Sequence, residues 1–361
     1  MERSKFRQVS ADQRRGRGAT CNPAGRYEAF EREKICDGWD IQPERSLRTE
    51  VHIESPRQII TRNTSPDLPF DRSINPYRGC EHGCIYCFAR PSHAYLGYSP
   101  GLDFETQLIA RPGAADQLAA ELQRKSYHPK PIAIGTNTDP YQPIERDYRV
   151  MRGILNALLE HRHPVTIVTK GGLIERDLDL LSELARLNLV HVGVSLTTLD
   201  PHVSRRMEPR VPGPKRRLAM ISALARAGIP TRVMVAPVVP ALTDHELEAI
   251  LTASRKAGAR AASYILLRLP DEVSPLFQDW LHDAFPDRAA RVMGRMRDMR
   301  GGREYRAAFT QRMVGQGEYA RLLSHRFRIA CRRLGFVRDL PALSCTQFRV
   351  PPKSGDQLSL F

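Results

Sequence analysis

The chain has 361 residues, 41% of them hydrophobic, and a formal net charge of +15. That size suits one large α/β domain, or a core domain with terminal additions, with enough apolar content for most of it to bury a core. No run approaches the roughly 18 to 20 apolar residues of a membrane span, and MERSKFRQVSADQRRGRG lacks the apolar stretch of a secretory signal, which excludes both classes and predicts a cytoplasmic protein with reduced thiols.

In chain order, residues 1–50 are polar and lack clean periodicity, and RRGRGATCNPAGR (14–26) predicts a flexible basic arm. From about residue 70 short β-branched runs alternate with helical stretches. The predicted strands are IAIGT (132–136), VTIVTK (165–170), VHVGVSL (190–196), TRVMVAPVV (231–239) and ASYILLRL (262–269), with a first strand around 73–77. Between them lie AADQLAAELQRK, RVMRGILNALLEH, RDLDLLSELARLN, KRRLAMISALARAG and DHELEAILTASRKAG, each with apolar residues at i, i+3, i+4 spacing. Gly228 and Gly258 close two of these as glycine caps. Such alternation means right-handed βαβ crossovers and a parallel sheet. Six units fall short of the eight of a closed barrel, so the fold expected for 51–275 is a partial (β/α)6 barrel. A doubly wound sheet is the alternative, but no GxGxxG follows the first strand.

Residues 276–340 form an expected helical, basic C-terminal extension: between 288 and 338 there are 14 Arg against Asp298, Glu304 and Glu318. GEYARLLSHRFRIACRRLGF predicts an amphipathic helix with Tyr319, Leu322, Leu323, Phe327, Ala330 and Leu334 as its apolar stripe. Residues 341–361 are read as a tail, disordered from PPKSGDQLSLF onwards. The positive charge favours DNA or RNA, or small phosphorylated or carboxylate ligands, although an Arg-rich coding bias gives the same sign.

Of seven cysteines, three stand close together in NPYRGCEHGCIYCFARPSH (75–93), at Cys80, Cys84 and Cys87. An odd count with this clustering argues against a disulfide framework. Structural zinc wants four ligands, and a second cysteine pair is missing; His82 and His93 keep that reading open. A redox dithiol has no use for the third thiol. An iron–sulfur cluster fits best: one loop wraps one face of a cubane, and three thiolates leave one iron free for a substrate or cofactor. Gly79 and Gly83 suit such wrapping.

CEHGCIYC resembles the CxxxCxxC signature of the radical S-adenosylmethionine (SAM) superfamily, with an aromatic before the last cysteine, and the loop follows the first strand of the β/α series as it does there. The resemblance covers roughly residues 70–270. It implies a [4Fe-4S] cluster whose open iron chelates SAM, a one-electron reductant such as a flavodoxin- or ferredoxin-like protein, and a 5′-deoxyadenosyl radical that abstracts hydrogen from substrate. Tyr86 would then lie by the adenine. Within the superfamily the chain looks most like the spore-photolyase-like group, through NPYRGCEHGCIYC, IGTNTDPYQPIE (134–145), VTK ending at Lys170, and VSLTTLD from Val194. By that match Lys170 and Ser195 would hold the SAM carboxylate, and Asn137, Thr138 and Asp139 could hydrogen-bond SAM or substrate. Spore photolyases carry a hydrogen-returning cysteine just after the second strand; here Thr136, Asn137 and Thr138 stand in its place, so the resemblance does not extend to dimer reversal. The competing reading is a basic nucleic-acid-binding protein with a structural metal and no radical chemistry.

Overall fold

The computed structural model describes residues 9–10, 12–27 and 46–352. Masses of alternating β and α segments resolve into two sheets. The strands are β1 (Glu50–Ile53), β2 (Ile60–Arg62), β3 (Arg72–Ile74), β4 (Tyr77–Arg78), β5 (Gln107–Ala110), β6 (Ile132–Ile134), β7 (Val165–Thr169), β8 (Val190–Ser195), β9 (Thr231–Val238) and β10 (Ala261–Leu266). The helices are α1 (Asp103–Thr106), α2 (Ala114–Leu122), α3 (Glu145–Tyr148), α4 (Val150–Glu160), α5 (Leu178–Arg186), α6 (Pro201–Met207), α7 (Pro214–Arg226), α8 (Leu247–Lys256), α9 (Val273–Ala284), α10 (Pro286–Asp298) and α11 (Gly317–Arg333).

The larger sheet has the order β10-β9-β8-β7-β6-β3-β2. Only β2 runs antiparallel to its neighbour, so β3 and β6 to β10 make the six parallel units of a partial α/β barrel. The helices cover it because their apolar residues recur at helical spacing: Val150, Met151, Ile154, Leu155 and Leu158 all turn inward on α4. The smaller sheet, β1-β5-β4, stands beside the start of the barrel and feeds directly into the cysteine loop.

A strap after α10 spans the open side of the barrel. Met313 O accepts from Leu266 N on edge strand β10 (2.9 Å), while Thr310 N donates to Asp67 Oδ1 (2.6 Å) in the turn beyond edge strand β2. Arg312 also pairs with Asp67 at 2.6 Å. Three buried guanidinium bonds from Arg300, to the carbonyls of Gln311, Arg312 and Leu267, hold the strap's base.

Three expectations change. The stretch 14–26 is not a loose arm: Arg17 to Cys21, Pro23 and Gly25 are buried. Arg17 donates to Glu105 O (2.8 Å) and Leu102 N donates to Cys21 O (3.2 Å), because backbone donors and acceptors in the neighbouring loop are satisfied by this segment. On α11, Leu322 is 50% exposed rather than in the stripe, which gains Ala320, keeps Leu323 and Ala330 buried, and has Tyr319, Phe327 and Leu334 half-buried against the core. The tail docks up to residue 349: Ser344 N donates to Asn188 O (3.0 Å), Gln347 Nε2 to Leu187 O (2.7 Å) and Arg349 N to His161 O (3.0 Å). Most of PPKSGDQLSLF lies outside the described residues. Among the described residues no helix is long and apolar enough to cross a membrane.

Candidate metal and cofactor site

The cysteine loop leaves β4 at the C-terminal end of the barrel strands. Gly79 and Gly83 sit at φ of 72° and 65°, the left-handed region that side chains avoid. A Cβ on Gly83 would fall 2.6 Å from the Glu105 carboxylate, so the turn needs glycine on space as well as on dihedral. Backbone bonds set the loop's path: Cys80 N donates to Phe104 O (2.8 Å), Gly83 N to Cys80 O (3.3 Å), Cys87 N to Cys84 O (3.2 Å) and Ile85 N to Met207 O (3.1 Å).

A fully buried ion pair fastens this path from behind. Arg90 and Glu105 are 2.6 Å apart with both side chains 0% exposed. Arg90 also donates to Cys84 O (3.1 Å) and Gly101 O (2.8 Å). Glu105 in turn accepts from Gly18 N and Ala19 N, each at 2.9 Å, which brings the N-terminal segment against the loop.

Cys80, Cys84 and Cys87 are free thiols. Burial pushes the Cys80 thiol well up, with Asp139, Cys84 and Cys87 adding to it. Burial likewise pushes Cys84 up to about 12, against the opposing pull of Lys170. Among the described residues no group of three His, Cys, Asp or Glu side chains converges to hold a single metal ion. A cubane's thiolates take separate irons, whereas the four ligands of a closed zinc site meet at one point. Of the two histidines considered for zinc, His82 Nδ1 lies 3.4 Å from Asp139, and His93 packs between Tyr98 and Phe104.

The structure brings the other expected residues to the same end of the barrel, one strand apart. Thr138 follows β6, Lys170 follows β7, and Ser195 ends β8; Thr169 pairs with Val194 in register, which sets Lys170 beside Ser195. Lys170 Nζ stands 5.8 Å from the Tyr86 ring centroid. Burial disfavours its charge, but Cys84, Glu208 and Asp139 outweigh this and keep the ammonium firmly protonated. Among the described ion pairs none uses this ammonium, which leaves it available to a ligand carboxylate. Thr138 and Ser195 have committed their protons: the first donates to Tyr77 O (2.9 Å), the second to Ala236 O (3.0 Å). Each hydroxyl therefore offers a ligand only a lone pair.

Two carboxylates organise the site without having stood out in the sequence as its centre. Glu208 accepts from the Tyr86 hydroxyl and from Thr197 Oγ1 (3.1 Å), and forms a second fully buried pair with Arg217 at 2.6 Å. Arg217 also donates to Ser195 O (3.0 Å), so one pair ties the cysteine loop to the end of β8. Burial opposes the Glu208 charge, but Arg217 and Lys170 hold its carboxyl below the usual range. Asp139 accepts from Lys170 N (2.7 Å) and Thr169 Oγ1 (2.6 Å); burial again opposes, and His82, Lys170 and Thr169 hold it at about 2. Glu208 lies 122 residues from Tyr86, and no local spacing announces such a partner.

Residues 74–253 match the family described as Radical SAM superfamily. An uncharacterized protein of Mycobacterium tuberculosis is 44% identical over 226 residues, 62% of this chain and 66% of the relative, so the match spans just under two thirds of that protein. A radical SAM Nalpha-GlyT isomerase of Pseudomonas phage M6 is 26% identical over 172 residues, 47% of this chain and 34% of that protein. A solved structure of spore photoproduct lyase complexed with dinucleoside spore photoproduct overlays with a TM-score of 0.57 at 14% identity, covering 79% of this chain and 80% of that one, a likeness of fold. Through residues 74–253 the chain belongs to the radical SAM superfamily, whose members use a [4Fe-4S] cluster and SAM.

Proposed function

We propose that Cys80, Cys84 and Cys87 hold one [4Fe-4S] cluster, that Lys170, Tyr86, Ser195 and Thr138 line the SAM position, and that the enzyme abstracts hydrogen from a nucleic-acid substrate. When bound, the cluster supplies an electron, drawn from a flavodoxin- or ferredoxin-like reductant, and SAM supplies the 5′-deoxyadenosyl radical. The residues of this chain bind and orient. Lys170 neutralises a carboxylate at the end of β7. Tyr86, its hydroxyl held by Glu208, offers a fixed ring face. Arg90 and Glu105 keep the cysteine loop rigid.

The observation that supports this reading is three free thiols on one glycine-turned loop, whose Tyr86 ring lies 5.8 Å from an ammonium that no carboxylate of the described residues pairs with. Support for a nucleic-acid substrate is the net charge of +15, together with the dinucleoside carried by the structurally similar lyase. The loop after β6 offers Thr136, Asn137 and Thr138 and no thiol, so hydrogen abstraction is proposed without dimer reversal.

Anaerobic reconstitution tests the proposal. The protein should take up about four irons per chain and, with dithionite and SAM, release 5′-deoxyadenosine. Tightly bound zinc with no 5′-deoxyadenosine would return the protein to the class of basic binding proteins.

A further inference from the structure

Three arginines gather where β10 ends, beside the cysteine loop. Arg312 is neutralised by Asp67, and Arg300 is absorbed by backbone carbonyls. Arg268 is different. Its one hydrogen bond among the described residues goes to Met313 Sδ at 3.3 Å, a weak acceptor, and no carboxylate pairs with it. Its guanidinium lies 4.3 Å from the centroid of the Phe88 ring. Phe88 directly follows Cys87 and is 45% exposed. Because Phe88 follows Cys87 in the chain, its contact with Arg268 places the pair beside the cysteine loop.

The strap carries a second ring–guanidinium contact, here with a neutralised guanidinium. Arg312 stands 4.9 Å from the ring of Phe309, which is 53% exposed. The strap also carries Arg303, exposed and without a carboxylate partner among the described residues. Phe88 thus offers an exposed ring face with the Arg268 guanidinium beside it. Together they match a ligand that presents a flat ring and an anion a few ångströms apart. A nucleotide unit has both, and aromatic faces with nearby arginines bind single-stranded nucleic acid without reading its sequence.

We propose that Phe88 and Arg268 form the substrate-anchoring subsite, with a base stacked on the Phe88 ring and an adjoining phosphate on the Arg268 guanidinium. This rests on the proposed function and adds to it the residues that hold the substrate.

The test is fluorescence anisotropy with a labelled single-stranded DNA oligonucleotide and an acidic, aromatic-containing peptide as the alternative probe. Wild type, Phe88→Ala, Arg268→Ala, Arg268→Lys and, on the remote exposed face of α11, Arg328→Ala are compared, with iron content measured for each. Phe88→Ala and Arg268→Ala should each weaken oligonucleotide binding about tenfold, the size of one lost stacking or phosphate contact. Arg268→Lys should recover most of the loss, and Arg328→Ala should change binding less than about twofold. The inference falls if Arg268→Ala costs no more than Arg328→Ala, if Phe88→Ala binds as wild type does, or if the peptide alone depends on Arg268. Iron-free wild type would defeat the proposed function instead, while the oligonucleotide comparison would still decide the subsite.

Discussion

At the C-terminal ends of the strands, charge is buried in pairs; at their N-terminal ends, the same barrel is sealed by rings. The mouth holds Arg90–Glu105 and Arg217–Glu208, both with 0% exposure on each side. The base holds Phe348 against Tyr127 (5.6 Å between ring centroids) and His163 (5.7 Å), with His163 Nε2 2.7 Å from the Tyr127 hydroxyl. Buried ion pairs add little net stability over apolar packing of the same volume. What they do is fix direction: Arg90, Glu105 and Arg217 also bind backbone atoms, and Glu208 also accepts from the Tyr86 and Thr197 hydroxyls. Apolar contacts at the base are non-directional and serve to keep water out. The mouth is thus built for geometry and the base for cohesion.

The sharpest test of that division is at the thiols. Alanine at Cys80, Cys84 or Cys87 should drop reconstituted iron from about four per chain to near zero while leaving circular dichroism intact; a variant that keeps its iron would remove that residue from the ligand set. Next comes the clamp. Glu105→Ala leaves the Arg90 charge buried and unpaired, so denaturant unfolding should show a loss of about 3–5 kcal/mol. Iron uptake should fall with it, and Glu105→Gln should retain part of both. A Glu105→Ala protein of normal stability would show that the pair holds nothing.

Phe348→Ala probes the base. The half-buried ring should cost about 1–3 kcal/mol in denaturant unfolding, with iron content unchanged. If iron falls as far as it does in Glu105→Ala, the two ends are coupled and the division fails. The most gradual effect is in pH. Burial lowers His163 from 6.5 to about 3 in the folded protein. Between those values the unfolded chain binds the extra proton, so stability declines as pH drops below about 6.5 and the decline levels off near 3. The slope should reach about 1.4 kcal/mol per pH unit, and His163→Asn, which cannot titrate, should flatten its share of that slope.

Much of the fold was legible because its signal is local. Val165–Thr169 and Val190–Ser195 are β-branched runs between amphipathic stretches, and six such units specify a parallel sheet short of closure. The predicted strand 262–269 ends three residues early because Leu267, Arg268 and Leu269 leave the sheet toward the strap. Leu322 falls in the predicted stripe because periodicity marks a face without saying how far the neighbouring surface extends, and on α11 that surface covers Ala320 and stops short of Leu322. The segment 14–26 was misjudged for a related reason: a polar, basic composition predicts solvation, but its backbone amides are the partners that Glu105 needs.

The thiol spacing, the glycines beside it and the β/α alternation belong to the sequence alone, because each is a relation among residues a few positions apart. The pairing of Glu208 with Arg217 and Tyr86, the reach of Glu105 to Gly18, and the meeting of Arg268 with Phe88 were decided only by tertiary structure. Apart from Glu208 and Arg217, nine positions apart, those contacts join residues tens to more than a hundred positions apart, and only the closed path of the chain sets which buried charge finds which partner.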